Sequence, residues 1–93
     1  MLSNEDLIIQ SIVHLLAERD DDASICPSDV ARSLAHEEAQ WRAVMPEVRR
    51  VAAKLVHEEI IKVTQGNVTV NIEGDLRGPI RFRRGLKFPD SSF

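Results

Sequence analysis

Trp41-Arg42-Ala43-Val44-Met45-Pro46-Glu47-Val48-Arg49-Arg50-Val51-Ala52-Ala53-Lys54-Leu55-Val56-His57-Glu58-Glu59 reads as one amphipathic helix. At a period of 3.6 residues, Trp41, Val44, Met45, Val48, Val51, Ala52, Leu55 and Val56 fall on a single stripe. The opposite side carries Arg42, Arg49, Arg50 and His57, with Lys54 on its flank. One helix thus joins a core-seeking face to a basic outward face. A short helical pattern precedes it, and alternating segments rich in arginine follow. That order predicts an α+β fold: a winged helix-turn-helix, with a three-helix core followed by a β-hairpin wing.

Working outward toward the N-terminus, Ile8, Ile12, Leu15 and Leu16 recur at helical spacing, widened by Ile9 and Val13. Ser3 or Asn4 is placed to cap this first helix, and Ser3 with Asp6 matches a capping box. The pattern fades at Arg19–Asp22, where three aspartates oppose the helix dipole and form a solvated turn. Ala23–Cys26 reads as a short extended link. Pro27 suits the first turn of a second helix, where its missing N–H costs nothing. Ser28 and Asp29 fit that turn too, and Val30, Ala31, Leu34 and Ala35 give the helix a small apolar face. A turn begins at His36-Glu37-Glu38. The third helix is expected to start between Ala39 and Arg42, with Pro46 in or near its first turn or at a kink between two halves.

Toward the C-terminus the period changes to two. Ile60–Gln65 alternates and is β-branched, Gly66-Asn67 suits a type II′ hairpin turn, and Val68–Ile72 alternates again. Glu73-Gly74-Asp75 reads as loop, Gly78-Pro79 as a break, and Ile80-Arg81-Phe82-Arg83 as a further strand. Residues 1–85 are expected to form one domain and residues 86–93 an irregular tail. Leu86, Phe88 and Phe93 are its candidate anchors, to the body or to a neighbour.

A chain of 93 residues has material for one core. With 43% hydrophobic residues it is not a disordered chain, and with only Trp41, Phe82, Phe88 and Phe93 as aromatics its core must be mainly aliphatic. No apolar run approaches the roughly 20 residues that cross a bilayer. The acidic start, Met1 to Asp6, lacks the basic residues of a secretory signal. A soluble, cytoplasmic protein with no membrane partner is the expectation. Cys26 is the single cysteine, so no internal disulfide forms. It is read as a small buried hydrophobe beside Pro27; the alternative is a thiolate favoured by the helix start, with no second cysteine to resolve it.

The net charge of −3 conceals a polarised chain. Residues 1–39 carry two basic and nine acidic side chains, whereas residues 40–87 carry ten basic and five acidic ones. A basic face with an acidic far side fits this pattern. So does mutual neutralisation of the two halves across the fold.

The segments Ile25-Cys26-Pro27-Ser28-Asp29-Val30-Ala31 and Trp41 to Ala52, then Val63-Thr64-Gln65-Gly66 and Gly78-Pro79-Ile80-Arg81, resemble a small bacterial family of winged-helix-like domains of unknown function. The resemblance spans residues 5–84 and includes the spacing between blocks. It implies a fold of DNA-binding type and carries over no activity. The chain departs from the family at Val68–Leu76, which replaces a segment that is often shorter and contains Asp-Pro.

The candidate nucleic-acid-binding residues are Arg42, Arg49, Arg50 and His57 on the third helix and Arg77, Arg81, Arg83 and Arg84 along the wing, with Lys87 beyond them. The second helix of such a pair enters the major groove, and the arginine fork pairs bidentately with guanine or phosphate. The alternative is a solvated face whose arginines pair with Glu47, Glu58 or the acidic half, one of Arg49 and Arg50 being structural. Trp41 is expected in the core with Ile12, Leu16, Val48 and Leu55 rather than stacked on a base. His14, His36 and His57 share no metal-ligand spacing, and no catalytic triad, phosphate-binding glycine loop or carboxylate pair stands out. No metal, cofactor or enzymatic activity is expected. DNA is the first candidate partner and RNA the second; the rival is a protein-interaction module without nucleic-acid contact. A continuous basic face across Arg42, Arg49, Arg50 and Arg81 favours the first, and cancellation by Glu37, Glu38 and Glu58 favours the rival.

Overall fold

A computed structural model describes residues 3–74 and 76–89. The described residues form an α+β fold, with three helices and a four-stranded antiparallel sheet. Helix α1 spans Asn4–Ala17. Its capping box forms as expected: the Asp6 N–H donates to Ser3 Oγ at 3.1 Å and the Ser3 N–H to Asp6 Oδ2 at 3.3 Å. Helix α2 spans Pro27–Leu34 with Pro27 in the first turn, and the Cys26 N–H donates to Asp29 Oδ2 at 2.9 Å. Ala35, His36 and Glu37 connect it to α3, Glu38–His57.

One expectation about α3 is corrected: the helix begins at Glu38, ahead of the Ala39–Arg42 bracket. Of the two places expected for Pro46, the first turn is excluded, and the residue lies in the helix interior. Pro46 is solvent-exposed, as is Arg42, whose carbonyl its missing N–H would have met. The deficit therefore faces water, and the helix continues. At its far end α3 closes with the Ile60 N–H on the Leu55 carbonyl and the Glu59 N–H on the Val56 carbonyl, both at 2.9 Å. This pair of bonds places Glu59 in the left-handed region, at φ 62°.

The strands are β1 (Ser24–Ile25), β2 (Ile61–Gln65), β3 (Val68–Thr69) and β4 (Arg81–Arg84), in the spatial order β1-β4-β2-β3. The extended link before Pro27 is thus an edge strand, which pairs Ser24 with Arg83 and Ile25 with Phe82. Gly66 at φ 59° makes the β2–β3 turn, with Asn67 outside the left-handed region, as a type II′ turn requires. Strand β3 is shorter than the alternation to Ile72 implied, because the chain turns at Asn71–Gly74. Strand β4 inserts between β1 and β2 and pairs Val63 with Phe82. Just beyond it, a Cβ on Gly85 would lie 2.3 Å from the Glu59 carbonyl oxygen, so only glycine lets β4 close over the end of α3.

One core joins the helices to the inner face of the sheet. Ile8, Ile12 and Leu16 of α1 meet Val30 and Ala31 of α2, Val48, Val51, Ala52 and Leu55 of α3, and Ile25, Ile61, Val63 and Phe82 of the sheet. Trp41 is the exception to the expected set: it is only partly buried at the core's margin. Its ring is flanked by Arg32 at 4.7 Å and Arg42 at 4.9 Å, a cation–π arrangement that ties α2 to α3. In the tail, Phe88 packs against the core and Leu86 is 91% exposed, while Phe93 lies outside the described residues. No described helix is long and apolar enough to cross a membrane.

Candidate nucleic-acid interface

The outward side of α3 carries its cations, and carboxylates answer most of them. Arg42 donates from Nε and Nη2 to Glu38 Oε1 at 3.1 and 2.9 Å, one helical turn away. Arg50 pairs with Glu47 through Nε at 3.0 Å and also through Nη2, and reaches Glu5 of α1 at 3.3 Å. Lys54 donates to the same Glu5 oxygen at 2.7 Å. His57 lies 3.3 Å from Glu73. Arg49 is exposed and has no carboxylate partner among the described residues. The cancellation expected from Glu37, Glu38 and Glu58 therefore comes from Glu38 together with Glu5, Glu47 and Glu73.

The wing arginines divide into three kinds. Arg77 is exposed and free of ion pairs among the described residues, with its carbonyl held by Gln65 Nε2 at 2.6 Å. Arg81 and Arg83 are half-buried on the sheet. Arg81 donates to Ser24 Oγ at 2.9 Å, the Ser24 carbonyl at 3.1 Å and Cys26 Sγ at 2.6 Å. Arg83 donates to Thr64 Oγ1 at 3.2 Å and the Asp22 carbonyl at 2.6 Å. Arg84 turns to the other side. Its Nη2 meets the Leu16 and Arg19 carbonyls at 2.9 and 2.7 Å, and its Nη1 meets Asp21 at 2.9 Å. Arg84 thereby closes the C-terminus of α1, so this candidate binding residue is an internal clasp. Lys87 pairs with Glu59 at 3.3 Å.

Cys26 is half-buried, not enclosed, and its sulfur accepts from a guanidinium. Among the described residues no group of three His, Cys, Asp or Glu side chains gathers to hold a metal.

The carboxylate pairs on α3 tie stability to acidity. The Lys54 ammonium, then Arg50, holds the Glu5 carboxyl below its ordinary 4.5, and Arg50 does the same for Glu47. These acids have lower pKa values folded than unfolded. Their contribution is complete above about pH 4.5 and is lost as pH falls through the folded values. Both are solvated, so the change is modest. The urea midpoint of the wild type is expected to decline from about pH 5 to pH 3, and Glu5→Gln to flatten part of that decline. Parallel curves for the two proteins would remove Glu5 from the effect.

Residues 5–85 match the family model described as "Protein of unknown function (DUF3253)". The chain belongs to this family. No curated protein matches it. The resemblance read from the Cys26–Ala31, Trp41–Ala52 and Gly78–Arg81 segments is correct at the level of the family. All eight candidate residues fall inside the matched span, and Lys87 falls outside it.

Folding does not gather the eight into one surface. Arg42, Arg49, Arg50 and His57 line α3, Arg77 stands on the segment after β3, Arg81 and Arg83 lie on the sheet, and Arg84 is internal. Sequence reasoning passed over Lys62, which is exposed on β2 directly opposite Arg83. The signal was present: Lys62 alternates with Ile61 and Val63 just as Arg81 and Arg83 alternate with Phe82.

Proposed function

We propose that this domain is a winged helix-turn-helix that binds nucleic acid, DNA in the first place and RNA in the second, by its backbone phosphates. The element order supports the reading: α2 and α3 are joined by three residues, and β2 and β3 form a hairpin at the open edge of the sheet, where a wing belongs. The observation that carries it is that Arg49 on α3 and Arg77 after the hairpin are exposed cations without carboxylate partners among the described residues. Arg42, Arg50 and His57 contribute only by exchanging a carboxylate for a phosphate, which limits the net gain. Glu37 and Glu38 stand at the start of α3, where base readout would occur, so binding by charge outweighs readout. The role is binding in a cytoplasmic setting, with no catalysis and no cofactor.

A protein-interaction role is the second reading. It is favoured by the neutralised α3 face and by an apolar groove of about 830 Å³ between α1, α2 and the tail, lined by Leu7, Val13, Leu34 and Phe88.

Removing the neutralising acids separates the two readings. Glu5→Gln/Glu47→Gln frees Arg50 and Lys54, and should tighten binding to a random 20-base-pair duplex about threefold to tenfold at low salt. Arg49→Ala should lower the log–log salt slope by about 0.9. If both variants bind like the wild type, α3 is not the contact surface.

A further inference from the structure

The outer face of the sheet, turned away from the helices, holds a second cluster of cations. Ile25, Ile61, Val63 and Phe82 point into the core. By alternation, Ser24 of β1, Lys62 and Thr64 of β2, and Arg81 and Arg83 of β4 share the opposite face. Lys62 sits directly across from Arg83, and Arg81 follows two residues along β4, about 7 Å away. Like charges placed side by side on one sheet face repel.

These cations differ from those of α3 in what holds them. None of Lys62, Arg81 and Arg83 has a carboxylate within ion-pair distance among the described residues. The two guanidiniums are instead fixed by neutral groups: the Ser24 hydroxyl and carbonyl and the Cys26 sulfur for Arg81, and the Thr64 hydroxyl and the Asp22 carbonyl for Arg83. Neutral acceptors order a guanidinium without discharging it, and each fork keeps further N–H donors for another acceptor. Acid is close at hand, because Asp20, Asp21 and Asp22 lead directly toward β1. Asp21 nevertheless pairs with Arg84, and Asp22 offers Arg83 its backbone carbonyl. The result is a charged, ordered and uncompensated surface, the arrangement that lowers the ordering cost of binding an anion.

We propose that the outer face of the sheet binds the phosphodiester backbone of a nucleic-acid strand through Lys62, Arg81 and Arg83, separately from α3. Phosphates repeat at fixed intervals along a strand and present several oxygens to each fork, which suits cations held in a row. Among the described residues the face carries no aromatic side chain, so bases are not stacked on it and the contact is independent of sequence.

The test is a titration of the full chain with a twelve-nucleotide oligothymidine, followed by amide chemical shifts and by anisotropy at two salt concentrations. Shifts concentrated at Ser24, Lys62, Thr64, Arg81 and Arg83 are expected. Lys62→Glu, at an exposed position without a carboxylate partner among the described residues, should weaken binding about tenfold. Arg83→Lys, which retains the charge, should keep most of the affinity, whereas Arg83→Gln should lose it. Shifts confined to α3 and the hairpin, with Lys62→Glu at wild-type affinity, would overturn the sheet proposal and leave the α3 reading standing. Equal competition by polyglutamate of matched charge would overturn it as well, since the surface would then be one for carboxylates.

Discussion

Phe82→Ala should destabilise the folded chain by about 3–5 kcal/mol, the largest loss expected of any single truncation. Phe82 is fully buried and is the largest such side chain. It lies on the central strand β4, opposite Ile25 on one side and Val63 on the other. Both partners are themselves buried and are held by their pairing to β4, so neither is free to move into the space. With about 4–8 °C lost per kcal/mol in a domain of this size, the thermal midpoint should fall by more than about 10 °C. Trp41→Ala, which the apolar stripe alone would rank first, should cost less, since the ring is only partly buried. Equal losses for the two variants in urea unfolding would contradict this placement of the core.

Arg84→Ala carries the second-largest expected effect, about 2–4 kcal/mol. The side chain is 16% exposed and bridges the end of α1 to the end of β4, some 65 residues apart in sequence. Truncation removes the donors of the Leu16 and Arg19 carbonyls and the cation above the Phe88 ring, at 4.8 Å. Arg84→Lys should recover less than half of the loss, because one ammonium does not reproduce the geometry of a fork. Nucleic-acid affinity, measured per folded molecule, should be unchanged in either variant. A drop in affinity with stability intact would return Arg84 to the binding surface.

The helices were legible because their signals are local. The Ser3–Asp6 capping box, Pro27 in the first turn of α2 and the stripe from Val44 to Leu55 each operate within a few residues. The pairing of Glu38 with Arg42 and of Glu47 with Arg50 belongs to the same class, since it follows from helical spacing. What escaped the sequence is non-local. Two residues, Ser24 and Ile25, become a strand only because β4 arrives beside them from 57 residues downstream. The Glu5 contacts to Arg50 and Lys54 depend on how α1 lies against α3, and periodicity does not specify that packing. The candidate site was legible as a list of cations. Which of them are discharged by carboxylates, fixed by neutral acceptors or left exposed was decided by tertiary packing. Arg84 and Arg81 are neighbours on one short strand, yet the pleat sends one to the helix end and the other to the outer face.

The most direct test is the salt dependence of wild-type binding to a random duplex, measured by anisotropy between 50 and 200 mM salt, about the range over which phosphate contacts are resolved. With Arg49, Arg77 and one to three exchangeable or sheet-face cations engaged, log Kd against log salt should be linear, corresponding to roughly three to five phosphate contacts at about 0.9 each. Affinity that is absent at the lowest salt, or present but insensitive to salt, would contradict nucleic-acid binding and make a protein partner the better account of this domain.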